Sequence, residues 1–166
     1  MIVSNSSPLM YLAKIKRLKL LRELFKEVIV PEEVYEEVVL DGKEKGHLDA
    51  SVVDQAIRDK WIVVRKMEIK EEIKRFASEI GAGEIAAINL AKQERVSLVL
   101  IDDASARTIA ESFGLNVKGT LFVLLTAYKR KLLKKDEVIN LANELVGLGF
   151  RISQEVYIDF IERLKG

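Results

Sequence analysis

The sequence predicts an α/β fold, a three-layer α/β/α sandwich with a mostly parallel sheet of four to five short strands. Short β-branched runs alternate with helical periodicities along nearly the whole chain. The connections between these runs are long enough for the crossovers that parallel strands require. Residues 97–101 are entirely apolar apart from the first, as in a buried central strand. With 166 residues and no repeat or linker, we expect a single domain over residues 1–166.

The first strand leads directly into a helix. The predicted strand spans residues 2–4 and begins with the apolar, β-branched Ile2 and Val3. Ser7 is placed to cap a helix in which Pro8 takes the first position. Apolar residues then recur at helical spacing, which predicts two successive helices within residues 8–26. A second short strand follows at residues 28–30.

Proline and charge define the next elements. Pro31 opens a helix over residues 31–40, and the polar residues 41–46 predict a loop. The same periodicity then predicts a helix at residues 48–60, a strand at 61–65 and a charged helix at 68–80.

The second half begins at the Gly-Ala-Gly break of residues 81–83. A helix at residues 84–94 precedes the apolar strand, and the helix after that strand stops at Gly114. The remaining elements are predicted in this order: a helix at residues 104–113, a strand near Val117, and helices at 120–131, 135–147 and 153–164.

The composition leaves carboxylates as the candidate reactive groups. The chain has no cysteine and a single histidine, His47, which excludes disulfides, thiolate nucleophiles and sites that need several histidines. With 27 basic and 26 acidic residues the net charge is +1, so a polyanion would have to be met by a local patch. No apolar run reaches the ~20 residues of a membrane span, and we expect a cytoplasmic protein.

Two aspartates directly follow the most apolar strand. Asp102 and Asp103 therefore lie at the carboxyl edge of the sheet, where α/β folds bind their ligands. Helix capping is the simpler alternative, because an aspartate before Ala104 is a good N-cap. Capping uses only one of the two, which leaves the other as a candidate catalytic residue.

Two glutamates on helices are further candidates. Glu84 lies in a first helical turn, where the helix dipole stabilises negative charge, yet its i+4 neighbour is the apolar Ile88. An inward carboxylate needs a partner, and a metal ion is one. Glu37 borders a stripe that contains Val34 and Val38, although most acids in such a run are simply solvated.

Several polar residues have two interpretations. Asn5, which closes the first strand, either makes a local side-chain turn or offers its amide oxygen to a hard cation. Arg107 either forms an i,i+4 ion pair with Asp103, the simpler alternative, or contacts phosphate. Five cations within residues 129–135 either stabilise a helix end or attract phosphates.

Four segments, taken in order and spacing, resemble the PIN-domain family: Ile-Val-Ser-Asn-Ser-Ser-Pro-Leu at residues 2–9, Val-Pro-Glu-Glu-Val-Tyr-Glu-Glu at 30–37, Gly-Ala-Gly-Glu-Ile-Ala-Ala-Ile at 81–88 and Leu-Ile-Asp-Asp at 100–103. Arg107, Ala110, Gly114 and the segments 119–121 and 149–153 resemble one prokaryotic branch of that family. The likeness spans nearly the whole chain.

This resemblance implies a parallel sheet flanked by helices and an acidic cluster that binds Mg²⁺ or Mn²⁺ and cuts RNA. It implies that the metal ligands are Asn5, Glu37, Glu84 and Asp102, and that the catalytic acids are Glu37, Glu84, Asp102 and Asp103. On the same interpretation the residues expected to bind substrate are Ser6, Arg107, Thr120, Lys129, Arg130 and Lys131. Relatives include toxin ribonucleases of toxin–antitoxin pairs, so an antitoxin protein and a homodimer are expected partners.

Asn5 departs from the family pattern, which usually has aspartate there. An amide keeps one acceptor oxygen but removes a negative charge, so metal affinity should fall. Two hypotheses follow: a metal-dependent endoribonuclease of PIN type, or a catalytically weakened PIN-fold module that binds nucleic acid or assembles with partners. A response-regulator-like or nucleotide-binding domain is disfavoured because the chain lacks a Gly-rich phosphate loop with its lysine.

Overall fold

The computed structural model describes residues 1–165. The chain forms two compact units, residues 1–119 and a second that begins at Thr120. The expectation of a single domain over residues 1–166 stays a prediction.

The first unit contains a five-stranded, all-parallel sheet in the order β3-β2-β1-β4-β5. Its strands are β1 (Ile2–Ser4), β2 (Val28–Pro31), β3 (Ile62–Arg65), β4 (Leu98–Leu100) and β5 (Asn116–Lys118). The predicted α/β/α architecture is confirmed. The chain builds outward from β1 to β3 and then returns to the other side of β1, so strand order reverses between β1 and β4. Parallel sheets bind ligands at such a reversal, beyond the carboxyl ends of the strands.

The helices of the first unit fall close to the periodic segments. They are α1 (Ser6–Lys14), α2 (Lys19–Phe25), α3 (Glu32–Tyr35), a π-helical segment (Glu36–Asp41), α4 (Gly42–Glu44), α5 (Leu48–Arg58), α6 (Glu71–Lys74), α7 (Ala82–Glu94) and α8 (Ala104–Ser112). Because α7 is covered on nearly every side, almost all of its residues from Ile85 to Ala91 are apolar and buried. Around it the core is closed by side chains such as Phe76 and Phe113, whose rings meet edge to face at 5.9 Å.

Three local predictions are wrong. Helix α1 begins at Ser6 and not at Pro8, with Asn5 at the N-cap position and no side-chain capping bond, so Ser7 is not the cap. The predicted loop at residues 41–46 is helical as far as Glu44, because the helix that begins at Glu32 continues through the π-helical segment.

The charged helix expected at residues 68–80 is reduced to the single turn α6. At residues 68–70 the cause is Asn89, a buried residue of α7. Its Oδ1 accepts from the backbone N–H of Lys70 at 3.1 Å, and its Nδ2 donates to the carbonyl of Glu68 at 2.7 Å. These bonds hold the start of the segment in a non-helical conformation that local propensity does not favour.

The second unit, in its described residues, consists of three helices at the predicted positions: α9 (Thr120–Lys129), α10 (Lys135–Gly147) and α11 (Gln154–Lys165). The Tyr128 hydroxyl donates to the carbonyl of Leu164 at 3.1 Å and so links α9 to α11. Across the described chain, none of the helices is both long enough and apolar enough to cross a bilayer.

Candidate functional site

The strand ends at the reversal point bring Asn5 and Asp102 to one edge of the sheet. Asn5 directly follows β1, and its backbone N–H donates to the carbonyl of Leu100, the last residue of β4, at 3.0 Å. Asp102 lies two residues beyond Leu100. The fold therefore places an amide and a carboxylate at the ends of the neighbouring strands β1 and β4.

Gly83, in the first turn of α7, is the point where predicted site residues meet. A Cβ built on Gly83 would lie 3.2 Å from Glu37 Oε2, 3.3 Å from Asn5 Oδ1 and 3.8 Å from Ser6 Oγ. Three oxygens from two parts of the chain, the start of α1 and the π-helical segment, thus surround a space that the missing side chain leaves open. The Ser6 hydroxyl also donates to Glu37 Oε2 at 2.7 Å. Asn5 and Ser6 are buried, whereas Glu37 is exposed.

Glu37 is carried by the π-helical segment, which helical periodicity does not predict. Val38 and Val39 are consecutive residues of this segment, and both are buried, at 2% and 1% exposure. A π-helix has a wider turn than an α-helix, and π-helical turns occur frequently at functional sites. The sequence gives no signal for this turn, because α-helices that bury a wide face also have adjacent buried residues, as α1 does at Leu12 and Ala13.

The Glu84 carboxylate turns back over the start of its own helix. A Cβ on Gly81 would lie 2.5 Å from Glu84 Oε2. Gly81 is the N-cap residue of α7, where the helix dipole stabilises a negative charge. The structure therefore places the Glu84 carboxylate where the simpler interpretation expects it. The side chain is only partly buried, although its neighbours Gly83 and Ile85 are buried.

The two aspartates after β4 have different surroundings. Asp103 caps α8: its Oδ2 accepts from the backbone N–H of Ala106 at 2.8 Å, and the residue is exposed. Asp102 is partly buried and lies against Gly119, since a Cβ on that glycine would be 2.7 Å from Asp102 Oδ1. Capping therefore accounts for Asp103 and gives no account of Asp102.

Arg107 does not form the ion pair with Asp103 that its spacing suggests. Among residues 1–165 no ion pair within 4.0 Å includes Arg107. Its Nη1 lies 3.6 Å from the Cβ position of Gly119, the same point that Asp102 Oδ1 approaches. The guanidinium thus lies on the side of Asp102, whereas the Asp103 carboxylate accepts from the backbone N–H of Ala106.

The structure does not gather the predicted acids into one cluster. In the described part of the chain, no three His, Cys, Asp or Glu side chains come together as a metal site. Asn5 and Glu37 share one space, whereas Glu84 lies over Gly81 and Asp102 against Gly119. The pair that is brought together fits a hard divalent cation in its donor chemistry, because amide and carboxylate oxygens are the ligands that Mg²⁺ and Mn²⁺ take.

The other predicted substrate contacts belong to the second unit. Thr120 is the first residue of α9 and is fully buried. Lys129 ends the same helix, and Lys129, Arg130 and Lys131 are all exposed.

Sequence reasoning missed the role of two glycines. From sequence alone, Gly83 indicates only a break before a helix, together with Gly81, and Gly119 is only part of a segment that resembles the family. Both are positions where a Cβ would press on a candidate site oxygen. The only sequence signal was a small residue next to a candidate acid or strand end.

A comparison with protein families gives one result. The family model DUF3368, described as a PIN domain, matches residues 1–166. No curated protein and no solved structure matches the chain.

Proposed function

The chain belongs to the PIN-domain family, whose members are generally nucleases, and from that premise we propose that it is a metal-dependent endoribonuclease that cuts RNA phosphodiester bonds. The observation that carries the proposal is the approach of Asn5 Oδ1 and Glu37 Oε2 to the open space at Gly83. Oxygen donors from two separate elements that face one gap suit a hard cation.

In this proposal Asn5 and Glu37 would hold the cation. Glu84, over Gly81, and Asp102, against Gly119, lie outside that space and would act as further catalytic acids. When bound, Mg²⁺ or Mn²⁺ supplies Lewis acidity toward the phosphate and favours the attack of water on phosphorus. Ser6 fixes the Glu37 carboxylate through its hydrogen bond. Asp103 holds the start of α8 and assists from the same edge.

The proposed substrate is RNA. Arg107 and Ser6 would contact it, as would the exposed Lys129, Arg130 and Lys131, whereas the full burial of Thr120 rules out the direct contact expected of that residue. The basic residues concentrate charge: five of the 27 cations of the chain lie within residues 129–135. Outside this segment the chain has 22 basic and 26 acidic residues, and so a negative net charge. Residues 129–135 are therefore a local positive patch.

We further propose two protein partners by family relationship. One is an antitoxin protein that would cover the acidic edge, as for toxins of toxin–antitoxin pairs. The other is a second copy of this chain in a homodimer.

A second function has its own support. A neutral residue at position 5 and acids that do not converge in the described residues would both weaken metal binding. The alternative is therefore a PIN-fold module that binds nucleic acid or assembles with partners without turnover.

Cleavage of end-labelled RNA separates the two. Wild type is incubated with Mn²⁺ or with EDTA beside three variants, Glu37→Gln, Asp102→Ala and Asn5→Asp. Glu36→Gln, at an exposed neighbouring position, is the matched control.

The endoribonuclease proposal predicts cleavage that needs Mn²⁺ and is lost in Glu37→Gln and Asp102→Ala but retained in Glu36→Gln. An inert wild type together with an active Asn5→Asp would establish the weakened module. Cleavage that survives Asp102→Ala would overturn the assignment of the site.

A further inference from the structure

Arg107 is a charged group that neither folding nor helix capping explains. It lies one turn into α8, and its side chain is partly buried. In the described chain its guanidinium has no ion-pair partner and no side-chain hydrogen bond. The guanidinium carries five N–H donors in a rigid planar fork, and such donors normally form hydrogen bonds to carboxylates, phosphates or carbonyls.

The position of Arg107 is as informative as its unused donors. Its Nη1 and Asp102 Oδ1 lie 3.6 Å and 2.7 Å from a single point, the Cβ position of Gly119. The cation is therefore adjacent to Asp102, beyond the end of β4. A residue other than glycine at position 119 would fill the space between these groups and the chain at the end of β5.

Electrostatics indicate which ligand this cation takes. A phosphate that approaches the sheet edge meets Glu37, Asp102 and Asp103, all of which repel it. One fixed positive charge at that edge offsets part of this repulsion. A guanidinium also matches a phosphate in geometry, because two parallel N–H groups can bond two of its oxygens.

We propose that Arg107 is a substrate-binding residue that holds a phosphodiester of the RNA beside Asp102 through two guanidinium N–H groups. The inference rests on the proposed function for the identity of the ligand. It assigns to Arg107 a role in binding that does not depend on the cation, so it can be measured without catalysis.

The test is RNA binding in EDTA, where a metal-dependent enzyme does not turn over. Fluorescence anisotropy with a labelled single-stranded RNA compares wild type, Arg107→Ala and Arg107→Lys over a range of salt concentrations. Arg95→Ala, at an exposed arginine, is the matched control. Thermal unfolding of each variant reports whether the fold is kept.

We expect Arg107→Ala to weaken RNA binding roughly tenfold, since two charge-assisted hydrogen bonds to phosphate are lost. The salt dependence of log K should fall by about one for the lost phosphate contact. Arg107→Lys keeps the positive charge but loses the planar pair of N–H donors. Its salt slope should therefore match that of wild type, and its affinity should lie between those of wild type and Arg107→Ala. Arg95→Ala should bind as wild type does.

Equal affinity and equal salt slope for Arg107→Ala and wild type would overturn the inference. If that variant also cleaves RNA with an unchanged KM, the proposed function stands and only the role of Arg107 is wrong. If wild type neither binds nor cleaves RNA, both proposals are wrong. A loss of binding in Arg107→Lys equal to that in Arg107→Ala, with a lower unfolding temperature in both, would indicate a structural role instead.

Discussion

The Ser6 hydroxyl donates a 2.7 Å hydrogen bond to Glu37 Oε2, which ties the first residue of α1 to the π-helical segment. The two residues are 31 positions apart in sequence. The bond is made next to the open space at Gly83, so it fixes the carboxylate at the point where Asn5 is also directed.

Removing this bond should lower both the stability of the protein and its affinity for a cation. Ser6→Ala is expected to cost about 1 kcal/mol of unfolding free energy, because Glu37 is exposed and water replaces the lost donor. Mn²⁺ affinity should fall several-fold because the carboxylate is no longer held in place. Urea unfolding and calorimetric Mn²⁺ titration measure the two effects. Ser7→Ala is the neighbouring control, and equal Mn²⁺ affinity in all three proteins would contradict the positioning role.

Gly83→Ala should impair Mn²⁺ binding and cleavage without destabilising the fold. Alanine is the better helix former by about 1 kcal/mol, and this gain offsets the crowding of the new methyl group. The methyl group would stand 3.2 Å from Glu37 Oε2 and 3.3 Å from Asn5 Oδ1, where a cation is proposed to bind. We therefore expect little change in stability and a loss of Mn²⁺ binding and cleavage.

Gly147→Ala is the matched control for this substitution. Gly147 is the last residue of α10, and a Cβ there would meet nothing within 4 Å. It should gain stability and leave Mn²⁺ binding unchanged. Mn²⁺ binding by Gly83→Ala with wild-type affinity would show that the space at Gly83 is not the cation site.

The sheet edge could be predicted from sequence because strand ends are set locally. A β-branched run followed by Asn5, and an apolar run followed by Asp102, place both residues without knowledge of the rest of the chain. The orientation of Glu37 could not be predicted, since it depends on a π-helical turn that packing imposes. The non-helical backbone just before α6 could not be predicted either, because the hydrogen bonds that hold it come from Asn89, about twenty residues further along the chain.

Asp103 should behave as a capping residue. Asp103→Ala is expected to lower the unfolding free energy by about 1 kcal/mol, the usual loss for an N-cap. Asp103→Ser should recover most of that stability, because a serine hydroxyl also accepts from the first-turn N–H groups. Urea unfolding measures both. RNA cleavage by the stable Asp103→Ser variant then tests the proposed assistance, since a protein that folds but does not cleave would need the carboxylate itself.

Asp54 gives the first unit a pH-dependent contribution to stability. Its carboxylate accepts from the Lys43 ammonium at 2.5 Å and lies 3.2 Å from Arg58 Nη2, and the hydrogen bond to Lys43 lowers the pKa of Asp54 below 3.8. A folded-state pKa that is lowered stabilises the protein above the unfolded value, and the contribution disappears as the pH falls through the folded value.

Asp54→Asn should therefore cost about 0.5–1 kcal/mol near neutral pH, since both cations are largely exposed. The difference from wild type should shrink below pH 3.8. Urea unfolding across this pH range measures it. Asp59→Asn, at an exposed carboxylate bonded only by Gln55 among the described residues, is the control. A difference that stays constant with pH would mean that the Asp54 charge contributes nothing.

Asn5→Asp should lower the stability of the metal-free protein and raise its affinity for a divalent cation. Asn5 is 4% exposed, and its Oδ1 shares the space at Gly83 with Glu37 Oε2. A second carboxylate there repels the first when no cation is bound, so the unfolding temperature in EDTA should fall below that of wild type. A divalent cation removes the repulsion and gains a charged ligand. Added Mn²⁺ should then raise the unfolding temperature of Asn5→Asp more than that of wild type, by an amount that grows with Mn²⁺ concentration. Differential scanning calorimetry with Mn²⁺ or EDTA measures this. An equal response of the two proteins to Mn²⁺ would place the cation, if one binds, away from residue 5.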